Sequence, residues 1–267
     1  MDMQPEKESL FIIKIGGNVI DEEKSLNKFL DDFAFLKSKK ILVHGGGKVA
    51  TSIGEKLGIT SNYVEGRRIT DGDTIDLVTM VYGGLVNKKI VALLQSKNTN
   101  AIGLTGADAN MIPAQKRLVK KIDFGWVGDV DQQDLNSSQW KLFLDNGMVP
   151  VVAPLTHDGA GNMLNTNADT IASVLATGLS EYYSVKLIFC FEKDGVLSDI
   201  QKDDSVIRNL DESTYQQLKK EKKLFAGILP KIDNAFAAIN HGVEQVIIGN
   251  SSKLIELSKG ESGTIMK

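Results

Sequence analysis

A single cysteine in 267 residues leaves no partner for an intramolecular disulfide, so a reducing compartment fits the chain. That residue, Cys190, lies in the apolar run VKLIFCF, where a buried strand thiol is expected rather than a reactive one. Basic excess is also missing: 31 Lys and Arg stand against 34 Asp and Glu, a formal net charge of -3. A nucleic-acid partner is therefore not expected, and any positive site must be local. No uninterrupted apolar run approaches the roughly 20 residues that span a bilayer. The charged opening MDMQPEKESL is unlike a secretory signal. These absences predict a soluble, cytoplasmic chain with no membrane partner.

What is present is an alternation. LFIIKI, KILVH, NAIGL, MVPVVAP, VKLIFCF and EQVIIG are short apolar strand candidates. Between them lie helix candidates over Glu22 to Lys37, Lys48 to Leu57, Asp73 to Gln95, Asp134 to Asn146, Ala168 to Leu179, Glu212 to Lys222 and Lys231 to His241. Nearly continuous apolar strands separated by helices predict an α/β, three-layer sandwich with a mainly parallel central sheet. The stretch Lys116 to Val130 breaks the alternation and reads as a β-hairpin. No repeat or low-complexity linker divides the chain, so residues 1–267 read as one domain.

Three consecutive glycines, Gly45 to Gly47 in ILVHGGGKVA, fall between a strand and a helix. Gly45, Gly47 and Ala50 match the dinucleotide pattern G-x-G-x-x-A, and Glu65 lies about 20 residues on, where a ribose-binding acid belongs. A second glycine turn, Gly16-Gly17, follows the first strand in IIKIGGN. HGGG also suits the oxyanion loop of a hydrolase, but the chain holds no G-x-S-x-G nucleophile. A Walker A loop is excluded because Lys48 precedes Val49 rather than Ser or Thr. Two glycine-rich strand ends suit phosphates, since backbone N–H groups and a helix N-terminus attract an anion. Lys14 lies inside FIIKI, where a charge needs a partner unless it snorkels to solvent. Asn165, Asn167 and Asp169 open a helix at a spacing of two, and N-capping explains only one of them. Lys231 begins another helix after Gly227 and Pro230. A cation there opposes the helix dipole unless an anion is shared.

In the order IIKIGG, VHGGG, EGRRIT, GLVNKKIVALL, GLTGAD, NGMVPVVAP, NTNAD and GILPKI, the chain resembles the acetylglutamate kinase family, within an amino acid kinase superfamily that includes carbamate kinase. The resemblance covers nearly the whole length and implies the carbamate kinase-like fold, with acceptor binding and dimerisation mainly in the N-terminal half and ATP binding mainly in the C-terminal half. It implies that Lys14 and Lys231 contact the transferring phosphoryl group and that Asp169 orients both lysines. Gly16, Gly17 and Gly45 are implied to bind phosphate, Gly46 and Gly47 to face the substrate, Arg68 to pair with its other carboxylate, and Asn165 to hold substrate and phosphoryl group. Glu192, Gly195 and Gly227 are implied on the ATP side. In CFEKDGVL the pair Phe191-Glu192 departs from the Thr-Asp or Ser-Asp usual in the family, and Ala109 stands where glycine is frequent. The expected reaction is ATP-dependent phosphorylation of an N-acylated glutamate in arginine biosynthesis. N-acetyl is the expected acyl group; N-succinyl, which Arg67 could meet, and acylated aminoadipate remain alternatives.

The chemistry agrees with that resemblance. A side-chain carboxylate, with a pKa of about 4.3, is already deprotonated at neutral pH. No base is needed, which suits a chain of three histidines. Of these, His44 is placed to order the glycine loop. Phosphoryl transfer needs alignment and charge neutralisation by lysine, backbone N–H and magnesium. Mg²⁺ is expected to arrive on ATP, held mainly by its phosphates, with no protein metal site. The competing class is a non-catalytic nucleotide or dinucleotide sensor. The opening MDMQPEKES is too short and polar for the extra N-terminal helix of arginine-inhibited relatives. A homodimer insensitive to arginine, paired through Asp73 to Gln95, is expected.

Overall fold

The computed structural model describes residues 7–199, 201–224 and 228–267. Seven strands form its central sheet: β1 (Ser9–Ile15), β2 (Lys39–His44), β3 (Ala101–Leu104), β4 (Val149–Val152), β5 (Ser184–Phe191), β6 (Gln245–Asn250) and β7 (Thr264–Met266). Their order is β7-β6-β5-β1-β2-β4-β3. All neighbouring pairs are parallel except β6 with β7. The first six are the six apolar runs. Strands buried on both faces carry few polar residues, which is why each run was visible. The short antiparallel edge strand β7 was not foreseen.

Alternation along each strand divides the core. Leu10 and Ile12 of β1 join one buried cluster with the helices Ser137–Asp145, Ala168–Leu179 and Leu229–Asn240. Phe11, Ile13 and Ile15 join another with Glu23–Phe35 and the long helix Gly72–Gln95. The expected three layers follow from this split.

The long helix changes winding along its length: Gly72–Val78 and Asn87–Gln95 are α-helical, whereas Thr79–Val86 is π-helical. By length and composition it could cross a bilayer, but Leu77, Val78, Val81, Val86, Ile90 and Leu94 are buried in the core.

Three small antiparallel hairpins sit outside the sheet: Tyr63–Val64 with Arg67–Arg68, Gln115–Lys116 with Gly128–Asp129, and Leu155–His157 with Met163–Asn165. Only the middle one was expected. The connection from β1 runs to β2 on one side and that from β5 runs to β6 on the other, so the direction of the connections reverses between β1 and β5. In parallel sheets that switch point, at the carboxyl ends of the strands, is where ligands bind. Gly16-Gly17, Gly45 to Gly47 and Glu192 all follow those ends.

Candidate active site

Lys14 shares the face of β1 with Leu10 and Ile12, directed toward the helix Ala168–Leu179. That helix is capped by Asn167, whose Oδ1 accepts from the backbone N–H groups of Asp169 and Thr170 at 2.8 and 3.1 Å. The cap aims Asp169, in the first helical turn, back at the strand. Lys14 Nζ lies 2.7 Å from Asp169 Oδ1, and Lys231 Nζ lies 2.5 Å from Asp169 Oδ2. The first contact is an ion pair without hydrogen-bond alignment, since Oδ1 has no hydrogen-bond partner. Burial raises the Asp169 pKa, but Lys14 and Lys231 outweigh it and hold the carboxyl below the usual value. One carboxylate thus gathers two ammonium groups, leaving a net positive cluster at the sheet's switch point.

Beside this trio is a cavity of about 240 Å³. Its wall includes Gly45, Gly46, Gly47, Arg67, Arg68, Asn165 and Ala168, with no acidic side chain among the lining residues. The buried Arg68 donates from Nη2 to Gly47 O at 2.8 Å and Thr51 Oγ1 at 2.9 Å, and from Nη1 to Ser61 Oγ. Asn165 Nδ2 donates to Thr70 Oγ1 at 3.0 Å. Gly47 has open space where a Cβ would stand, leaving the backbone at the helix start accessible to an oxygen.

A second cavity, about 680 Å³, is lined by Gly16, Gly17, Gly47, Phe191 and Glu192 among others. Lys14 Nζ is 4.0 Å from the place a Gly16 Cβ would occupy. The three charged residues therefore lie near elements of both cavities, which meet at Gly47. Among the described residues no group of three or more His, Cys, Asp or Glu side chains is placed to hold a metal. Asp169 is engaged by two lysines, so its donor set suits a metal carried on phosphates better than one bound by protein.

Most expected site residues converge, with exceptions. Gly195 is buried where an added Cβ would lie 2.6 Å from Val206 Cγ1 and 2.7 Å from Thr264 Oγ1; it lines neither cavity, and packing against β7 accounts for it. Gly227 lies outside the described residues. Glu65, the ribose-binding candidate, is exposed in the turn of its hairpin at φ 49 and lines neither cavity. Cys190 is buried, and burial pushes its thiol up to about 12, as expected for a strand thiol.

The residues not foreseen come from the hairpins and the long helix. Arg117, Phe124, Val127 and Tyr82 also line the first cavity. Arg117 donates from Nε to Asp129 Oδ1 at 3.0 Å, so its charge is already paired. The segment is stitched down through Thr70 N–H to Phe124 O at 2.9 Å and Trp126 N–H to Thr70 O at 2.6 Å. Contacts so distant in sequence leave no local signal.

The family model for the amino acid kinase family matches residues 9–250. The chain is 55% identical over 251 residues to the acetylglutamate kinase of Cytophaga hutchinsonii, covering 94% of each protein. In fold it is similar to the N-acetylglutamate synthase of Neisseria gonorrhoeae, at a TM-score of 0.80 and 21% identity, over 98% of this chain and 59% of that one. The carbamate kinase of Giardia lamblia bound to AMP-PNP is similar at a TM-score of 0.67 and 14% identity, over 97% of this chain and 98% of the other. The chain belongs to the acetylglutamate kinase family, within the amino acid kinase family.

Proposed function

We propose that the protein transfers the γ-phosphoryl group of ATP to the side-chain carboxylate of N-acetyl-L-glutamate, giving N-acetyl-L-glutamyl 5-phosphate for arginine biosynthesis in the cytoplasm. The observation that carries this reading is the Lys14–Asp169–Lys231 cluster, with ion pairs of 2.7 and 2.5 Å, beside an acid-free cavity holding Arg68. Binding alone would not need two lysines held by one carboxylate. Transfer does, because negative charge on the phosphoryl oxygens must be met from more than one side.

In this reading the acceptor occupies the smaller cavity. Arg68 and the glycine backbone hold its α-carboxylate, and Asn165 directs the side chain toward the trio. An acceptor carboxylate oxygen forms a bond to the γ-phosphorus as the bond to the β,γ-bridging oxygen breaks, and the released electron pair leaves with ADP. No proton moves. Lys14 and Lys231 neutralise the transferring group and Asp169 keeps both in place. Gly16, Gly17 and Gly45 offer backbone to phosphates, with Glu192 on the nucleotide side. Magnesium, held mainly by the phosphates, would supply further neutralisation there.

The wall formed by Tyr63, Phe124, Val127 and Pro154 suits a small acyl cap. Arg67, exposed beside it, favours a second reading in which an N-succinyl group adds a carboxylate. ADP release with N-acetyl-, N-succinyl- and acylated aminoadipate acceptors tests both: a kcat/KM that favours N-acetylglutamate supports the main reading, and a large preference for the succinyl compound selects the second. NAD binding without turnover would support a sensor instead. We also propose one domain over residues 1–267 and a homodimer through the long helix, where Met80 and Leu85 are 56% and 52% exposed.

A further inference from the structure

The three loop glycines have little side-chain means of holding their own peptide planes, and the atoms that hold one of them lie underneath. His44 ends β2 and is fully buried. Its Nδ1 is 2.7 Å from Gly45 O, and its Nε2 is 3.1 Å from Asn87 Nδ2. Asn87 fixes the tautomer. Its Nδ2 also lies 2.9 Å from Val151 O, so it is a donor, and the imidazole Nε2 facing it must accept. A neutral imidazole carries one N–H, which is then on Nδ1 and donated to Gly45 O. Burial keeps the ring neutral by pulling its pKa down to about 4.

The consequence reaches the cavity. There is no cis peptide bond among the described residues, and in a trans peptide C=O and N–H point in opposite directions. A Gly45 carbonyl held toward His44 turns the Gly46 N–H away from the core. Asn87 is an expensive way to do this: it is 1% exposed, and its Oδ1 has no hydrogen-bond partner. An apolar residue there would avoid the orphaned oxygen but would leave the buried His44 Nε2 without a donor, so the amide is tied to the imidazole. Asn87 also follows the π-helical turn directly, and Tyr82 of that turn supports Gly46.

We propose that His44 and Asn87 are positioning residues that lock the Gly45–Gly46 peptide, presenting the Gly46 N–H to a carboxylate of the acceptor. The inference rests on the acceptor placement proposed above. Its first test is the ¹⁵N spectrum of the histidine rings in the whole protein, where His44 is expected to be protonated at Nδ1 and bare at Nε2. A proton on Nε2 would overturn the relay whatever the substrate proves to be.

The second test separates binding from folding. His44→Leu removes the donor and is expected to raise KM for N-acetylglutamate roughly 10- to 100-fold, the weight of a hydrogen bond to a charged group, while kcat and the KM for ATP stay near wild type. His44→Asn, whose amide can take the place of Nδ1, should recover most of that loss. Asn87→Leu should raise the same KM and let the ring proton move to Nε2; it serves as the test if His44→Leu does not fold. Equal changes in both KM values, or an unaltered acceptor KM, would overturn the proposal. Wild-type protein inactive on every acylated amino acid would instead refute the function, and the ring spectrum would still decide the relay.

Discussion

Gly46 rests against the ring of Tyr82 so closely that a Cβ would lie 2.9 Å from Tyr82 Cδ1. Its φ of 156 is also one that side-chain-bearing residues rarely adopt. Gly46→Ala must therefore displace either the ring or the loop. The expected cost is about 1–3 kcal/mol of stability by overpacking, together with a raised KM for the acceptor. Urea unfolding and steady-state kinetics on the same preparation check this; unchanged values in both would show that the contact does not constrain the loop.

Removing one of the paired cations should act on chemistry more than on acceptor binding. Lys231→Ala and Lys14→Ala are each expected to lower kcat by roughly 10²–10³, the usual effect of losing one electrostatic group at a transition state. Asp169→Asn should lower kcat as well, since both lysines lose the charge that gathers them. Calorimetric titration with N-acetylglutamate should give nearly wild-type affinity for Lys231→Ala. Full turnover in that variant would remove Lys231 from the site.

Acid should destabilise the fold before the carboxylates titrate. Burial lowers the His44 pKa to about 4 from the usual 6.5 of a histidine, so the unfolded chain takes up a proton that the folded one refuses. Its contribution is present above pH 6.5, falls between 6.5 and 4, and amounts to roughly 3 kcal/mol over that window. Asp169, whose pKa is depressed below 3.8, loses its contribution only at lower pH. Unfolding curves between pH 7 and 4 should slope less in His44→Asn; equal slopes would mean that the ring is accessible to protons.

Gly125 joins the cavity-closing hairpin to Thr70. It has φ 72, and a Cβ there would overlap the Thr70 carbonyl oxygen. Gly125→Ala is expected to destabilise by about 1–3 kcal/mol and to weaken acceptor binding, because Phe124 and Val127 line the cavity on either side of it. Wild-type melting temperature and acceptor KM would contradict this.

The sheet was legible because each of its six parallel strands is buried on both faces and reads as one apolar run. Lys14, a charge near the carboxyl end of one such run, pointed to the site. The two unforeseen hairpins use strands of two or three residues, too short for alternation to register. The π-helical turn is invisible because its residues remain as apolar as those of the α-helix around it. Asn87 did leave a signal: it lies three residues before the buried Ile90 on the core side of an apolar helix, where an amide is out of place. At Gly195 the close neighbours Val206 and Thr264 give the glycine a packing role as well.

Phosphoryl transfer to a carboxylate leaves an acyl phosphate that can be trapped. With MgATP, N-acetyl-L-glutamate and hydroxylamine, the acyl phosphate should be converted to a hydroxamate in a one-to-one ratio with ADP, and Lys231→Ala should form it far more slowly. ADP without hydroxamate, or no ADP with any acylated amino acid, would contradict phosphoryl transfer to a carboxylate.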